Sequence, residues 1–176
     1  MRTIINGYRI IGRCYLTAIK VICLVAVLAI MSGCAARVKN VTNLPPGVTQ
    51  KQAQDWDVAV QNLGKIATVT STARQSIIAV HQGGLLPDGP NYVAALTAIG
   101  KVDEIQLAAS NVLKQAPNNF SDPVKLQVKD YMTQIAAQIQ LLNQSGVTGI
   151  KNPNSQTQIG DLITQITGLA ALILSL

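Results

Sequence analysis

Charge and aromatic rings are what this sequence has least of. Only 12% of its 176 residues are charged and 3% aromatic, with one Trp, one Phe and one His. A chain this poor in charge and 48% hydrophobic does not belong to the disordered class, whose members are charge-rich and short of aliphatic side chains. Three cysteines cannot make a dense disulfide framework, and a single histidine leaves little for metal binding. The length suits one domain of ordinary size. A formal charge of +6 invites a nucleic-acid reading, but Arg2, Arg9, Arg13 and Lys20 stand ahead of an apolar run and account for most of the excess. No basic stripe interleaved with aromatic rings is left to follow a phosphate backbone, so nucleic acid is not an expected partner.

What the sequence does have is an ordered N-terminus. Four cations are spread over residues 1–20, "VICLVAVLAIM" at 21–31 carries no charge, and "SGC" follows at once. A basic region, an apolar core and small residues at its border make a secretory signal segment, with the cations held on the cytoplasmic side. Met31-Ser32-Gly33-Cys34 resembles the lipobox of bacterial lipoproteins, with Met at the position where Leu is usual. The resemblance covers about the first 34 residues. It implies a diacylglyceryl group on the Cys34 thiol and cleavage between Gly33 and Cys34. In that class Ala35, rather than Asp, after the cysteine is compatible with sorting to the outer membrane of a double-membraned cell. Two other readings stay open. Residues 15–31 reach the lower length limit of a spanning helix and can remain as an uncleaved anchor, or an ordinary signal peptidase cuts near "SGCA". Cys14 and Cys23 fall within the removed segment, so acylation also accounts for a lone remaining cysteine.

Residues 34–48 form the lipidated cysteine and a tether, broken by Pro45, Pro46 and Gly47. The domain proper is expected over 49–176. Apolar side chains recur there at steps of three and four, the spacing of one helix face. A first helix over 49–82 has Trp56, Val60, Leu63, Ile66, Thr70, Ala73, Ile77 and Val80 on its stripe, and Gly83-Gly84 ends it. A second over 90–115, with Asp88 or Asn91 near its N-cap, presents Tyr92, Leu96, Ile99, Val102, Ile105, Ala109 and Leu113. A third starts at Ser121 or Asp122 with Pro123 in its first turn and shows Val124, Val128, Tyr131, Ile135, Ile139 and Leu142. A fourth, from about Ser155 to the end, shows Ile159, Leu162, Ile166, Leu169 and Ile173. No sustained alternation of period two marks a strand. Four amphipathic helices with short loops predict an all-α, up-down four-helix bundle.

Residues 162–176, "LITQITGLAALILSL", carry no charge. Fifteen residues give about 22 Å of helix, short of the ~30 Å hydrocarbon core. The segment is therefore expected in the bundle core or in a contact between copies, with Leu169, Leu172, Ile173 and Leu174 buried.

Chemistry-bearing groups are sparse. His81 is read as a solvated helix-end residue, because neither a nucleophile nor a second ligand accompanies it. Asp55 and Asp57 flank Trp56, but residues two apart on a helix point to different sides. They, Asp103, Glu104, Asp122 and Asp130 are read as solvated helix positions, and Trp56 as a core anchor. No hydrolase elbow, zinc-protease, phosphate-loop or dinucleotide signature occurs. The expectation is a non-enzymatic, lipid-anchored envelope protein without cofactor or metal. Its partners would be the membrane, through Cys34, and either a second copy or another envelope protein. The competing expectation is a membrane-active helical factor using its apolar C-terminus. The polar faces are rich in Gln, Asn and Thr rather than Lys and Glu, which suits self-association.

Overall fold

The computed structural model describes residues 43–145 and 147–176. The chain enters through a turn, in which the Val48 amide donates to the Pro45 carbonyl at 3.1 Å. Four helices follow: α1 (Gln50–Gln82), α2 (Pro90–Gln115), α3 (Asp122–Ser145) and α4 (Pro153–Leu174), with one turn of 3-10 helix, Val147–Gly149, before the last. There is no strand among the described residues. α1 packs on α2 and α4, and α3 on the same two. The diagonal pairs make no close backbone approach among the described residues. This is a four-helix bundle in up-down order, as the short loops require.

The helix ends follow local chemistry. Thr49 caps α1 reciprocally: its hydroxyl accepts from the Gln52 amide at 3.2 Å, and the Gln52 side chain accepts from the Thr49 amide at 2.9 Å. α2 starts differently from expectation. Its N-cap is Gly89, at φ 143°, with no side-chain cap, because Asp88 is engaged elsewhere and only glycine enters this conformation readily. α4 begins two residues earlier than its stripe suggested. Asn152 accepts from the amides of Asn154 and Ser155 at 2.9 and 3.2 Å, and Pro153 sits in the first turn, where its missing N–H costs nothing. Proline after asparagine is here a start signal and not a break.

The core has a stricter rule than loose helical periodicity. α3 buries Val128, Met132, Ile135, Ile139 and Leu142, and α4 buries Ile159, Ile163, Ile166, Ala170 and Ile173. α1 buries Ala59, Leu63, Ile66, Thr70, Ala73 and Ile77. α2 repeats the pattern at Ala95, Ile99, Val102, Ala109 and Leu113. Steps of four and three alternate along these series, with Asn62, Val69 and Ala98 buried beside them, which is the seven-residue repeat of side chains interlocking between nearly parallel axes. It corrects the expected stripes at Tyr131, Leu162 and Leu169. In each case the inward position falls on the next residue, Met132, Ile163 or Ala170; both series repeat every seven residues, and packing against the neighbouring helices decides which residue of each doublet turns inward. Val60, expected inside, is 37% exposed.

Two polar residues interrupt the seam. Gln106 completes the α2 repeat and uses its amide to reach the Leu63 carbonyl of α1 at 3.2 Å and the Ser110 hydroxyl at 2.9 Å. Thr70 is fully buried and its hydroxyl has no partner, a cost of about 1–3 kcal/mol that the surrounding aliphatic burial must offset.

α4 spans 22 residues, about 33 Å. The whole helix, though not its apolar end alone, is the one among the described residues that is long and apolar enough, by length and composition, to cross a membrane. In the bundle it lays one stripe against α1 and α3 and keeps the rest outside. Ile173 is buried as expected, but Leu169 and Leu174 are half-buried and Leu172 is 50% exposed. Deleting residues 168–176 removes two seam positions and should cost at least about 3 kcal/mol, read as a large fall in the thermal midpoint by circular dichroism. An unchanged midpoint would mean that the end of α4 does not stabilise the bundle.

Candidate functional site

The side chains with most chemical potential gather where α1 turns into α2. Gly83 ends α1 by donating to the Ala79 carbonyl at 2.9 Å, and Gly84, at φ 71°, donates to His81 O at 2.9 Å. The reversal tucks Leu86 into the core and brings its carbonyl to 2.9 Å from His81 Nδ1. Asp88 Oδ1 lies 3.2 Å from His81 Nε2. The Tyr92 ring stacks on the imidazole, with centroids 3.8 Å apart and planes at 16°. His81 is therefore not the solvated residue expected: its side chain is 22% exposed and it grips the loop from three sides. The Asp88 side chain is 96% exposed, so that ion pair contributes little. The Leu86 hydrogen bond and the Tyr92 stack hold the ring. Both ring nitrogens face oxygen acceptors and one ring face is covered by Tyr92.

The neighbouring loop is tied to the same place. The Lys151 amide donates to the Leu85 carbonyl at 2.9 Å. Gly149 lies so close to Asn91 that a Cβ would meet its side-chain nitrogen at 2.8 Å. The cluster is a clasp between two loops at one end of the bundle. Spacing alone could not reveal it, because Asp88 and Tyr92 reach His81 only after the chain has reversed.

Midway along the α1–α2 seam, Arg74 Nη2 meets Asp103 Oδ2 at 2.6 Å. Asp103 was expected to be solvated, yet burial pushes its carboxyl above the usual range, and the Arg74 charge pulls it only part of the way back. At the other end, Trp56 is half-buried rather than a core anchor. Its Nε1 donates to the Leu113 carbonyl at 3.0 Å and closes the last turn of α2. The Lys125 ammonium donates to the Leu176 carbonyl nearby. Asp55 pairs with Lys51 and Asp57 accepts from Gln61 at 2.9 Å, so the two carboxylates diverge. Lys101 and Glu104 pair along α2, and Asp130 accepts from Gln134. Among the described residues no three His, Cys, Asp or Glu side chains converge as metal ligands would. Met31, Ser32, Gly33 and Cys34 lie outside the described residues.

Two measurements check these contacts. His81→Ala should speed hydrogen exchange of the amides at 83–89 and lower stability by about 1 kcal/mol; unchanged exchange there would deny the clasp. Asp103 carries a raised folded-state pKa, so the folded chain binds its proton first as pH falls. Stability of the wild type relative to Asp103→Asn should therefore rise as pH drops from neutral through the raised pKa toward 3.8. Thermal midpoints of the pair across that range give the sign directly.

The chain matches no protein-family model, no curated protein and no solved structure.

Proposed function

We propose that this chain is a lipid-anchored protein of a bacterial cell envelope with a structural or protein-binding role and no catalytic activity. One observation carries the reading: the run from cations through an uncharged apolar segment to Met31-Ser32-Gly33-Cys34. That order matches what a lipoprotein signal segment needs physically, namely charge to orient it, an apolar core to enter the bilayer, and small residues around the acylated thiol. The Pro45-Pro46 turn suits a spacer between anchor and domain, and it delivers the chain to the capped start of α1. His81 and Asp103, half-buried groups that could do chemistry, hold a loop and a helix pair, which favours a scaffold over an enzyme. Ala35 favours the outer membrane where the cell has two.

A second reading, a membrane-active helical factor, is favoured by the length and apolar character of Pro153–Leu174. One acyl chain binds a bilayer marginally, at about 0.8 kcal/mol per buried methylene, whereas two or three hold it for good. Replacing Cys34 by Ser in cells fed labelled palmitate should therefore abolish labelling, leave the precursor uncut, and release the bundle from membranes if the residual signal is removed by a generic peptidase site. A mutant labelled as strongly as the wild type would overturn the lipid-anchor reading. Unlabelled wild type that resists alkaline extraction through α4 would put the second reading in its place.

A further inference from the structure

Charge on this bundle is distributed by helix. α1 and α2 carry Lys51, Asp55, Lys65, Arg74, Asp103 and Lys114 among others. From Tyr131 to Leu176 the only charged side chains are Lys151, in a loop, and Asp161. The outer faces of α4 and the second half of α3, adjacent in the fold, together make a wall two helices wide. Its surface is Gln, Thr, Ala and Gly around one exposed carboxylate, Asp161, with Leu141 and Leu172 each 50% exposed.

The hydroxyls on this wall are already engaged. Thr157 donates to the Pro153 carbonyl at 2.9 Å, Thr164 to Gly160 at 2.9 Å, and Thr167 to Ile163 at 3.0 Å. Covering these hydroxyls against another protein surface leaves none of them unsatisfied, and the Gln side chains are able to bond across the contact. We infer that this wall, α4 with residues 131–145 of α3, is the interface through which two copies of the chain pair about a two-fold axis.

Two arguments select a second copy as the occupant. In a two-fold interface, residues near the axis face their own counterparts, so any charge there meets its like. The α1–α2 side brings charged side chains of both helices to such a meeting, whereas the α3–α4 wall brings only Asp161, which an axis nearer the end of α4 keeps away from its counterpart. The size also fits. α4 is about 33 Å long and the charge-free part of α3 about 22 Å, each about 10 Å across, which projects to roughly 550 Å². The relief of side chains takes this toward the lower range of specific interfaces, near 600–800 Å² per partner. Such an interface is modest, and confinement of both copies to one surface raises their effective concentration in its favour. That last step rests on the proposed anchor; the interface itself does not.

The test is the oligomeric state of the full chain in mild detergent, by sedimentation over a concentration series. The wild type should show a monomer–dimer equilibrium, with twice the 18.6 kDa chain mass at the upper end. Gly168→Lys and Ala137→Lys place a charge on the wall. Both positions are exposed, and nothing stands within 4 Å of a Cβ at Gly168, so the bundle keeps its helicity by circular dichroism while dimerisation weakens at least tenfold. Ser71→Lys, on the exposed side of α1, should dimerise as the wild type does. So should Cys34→Ser, which separates this inference from the anchor. A wild type that stays monomeric, a dimer indifferent to both wall lysines, or one broken equally by Ser71→Lys overturns it. Binding of Cys34→Ser to plain phosphatidylcholine vesicles, lost in Gly168→Lys, would make the occupant a lipid surface and equally overturn it.

Discussion

Everything in this domain hangs on one aliphatic seam shared by four helices. Each helix turns the same alternating four–three series of Ala, Ile, Leu, Val and Met inward, and the seam closes only if all four hold nearly parallel axes. Small residues in that series, Ala59, Ala73, Ala95, Ala109 and Ala170, are fully or almost fully buried, so large neighbours have somewhere to interlock. Because the core is built this way it needs hardly any aromatic side chain: Phe120, in the α2–α3 loop, is the one ring that is buried among the described residues.

The polar positions in the seam show what the constraint tolerates. Gln106 bridges to the Leu63 backbone, so its burial is compensated, and it also fixes how α2 sits along α1. Thr70 is the unmatched one. At the ends, where the seam stops, directional contacts take over. His81, Leu86 and Tyr92 close one end, Trp56 with Leu113 the other. Packing alone does not set the path of a glycine-rich loop, and these few bonds do.

The bundle spreads its charges over α1, α2 and the start of α3 and leaves the remaining surface almost neutral. A side wall carrying a single charge, Asp161, is the face able to meet its own copy with least electrostatic opposition.

Four helices, their loops and most of their limits were legible in the chain, because step patterns, glycine stops and the Asp122-Pro123 start are local properties of a backbone. The lipoprotein reading of Met31-Ser32-Gly33-Cys34, a proposal, likewise rests on residue order alone. Which member of each apolar doublet turns inward, Tyr131 or Met132, Leu162 or Ile163, Leu169 or Ala170, was not local. Either choice gives a seven-residue apolar repeat along an isolated helix, and only the position of the neighbouring helices decides between them. The same holds for His81. Its sequence context made it a free helix-end side chain, and it became a clasp because the tertiary reversal placed a carbonyl, a carboxylate and a ring around it. Arg74 and Asp103 met for that reason too: two half-buried groups far apart in sequence were brought within 2.6 Å by the packing of α1 on α2.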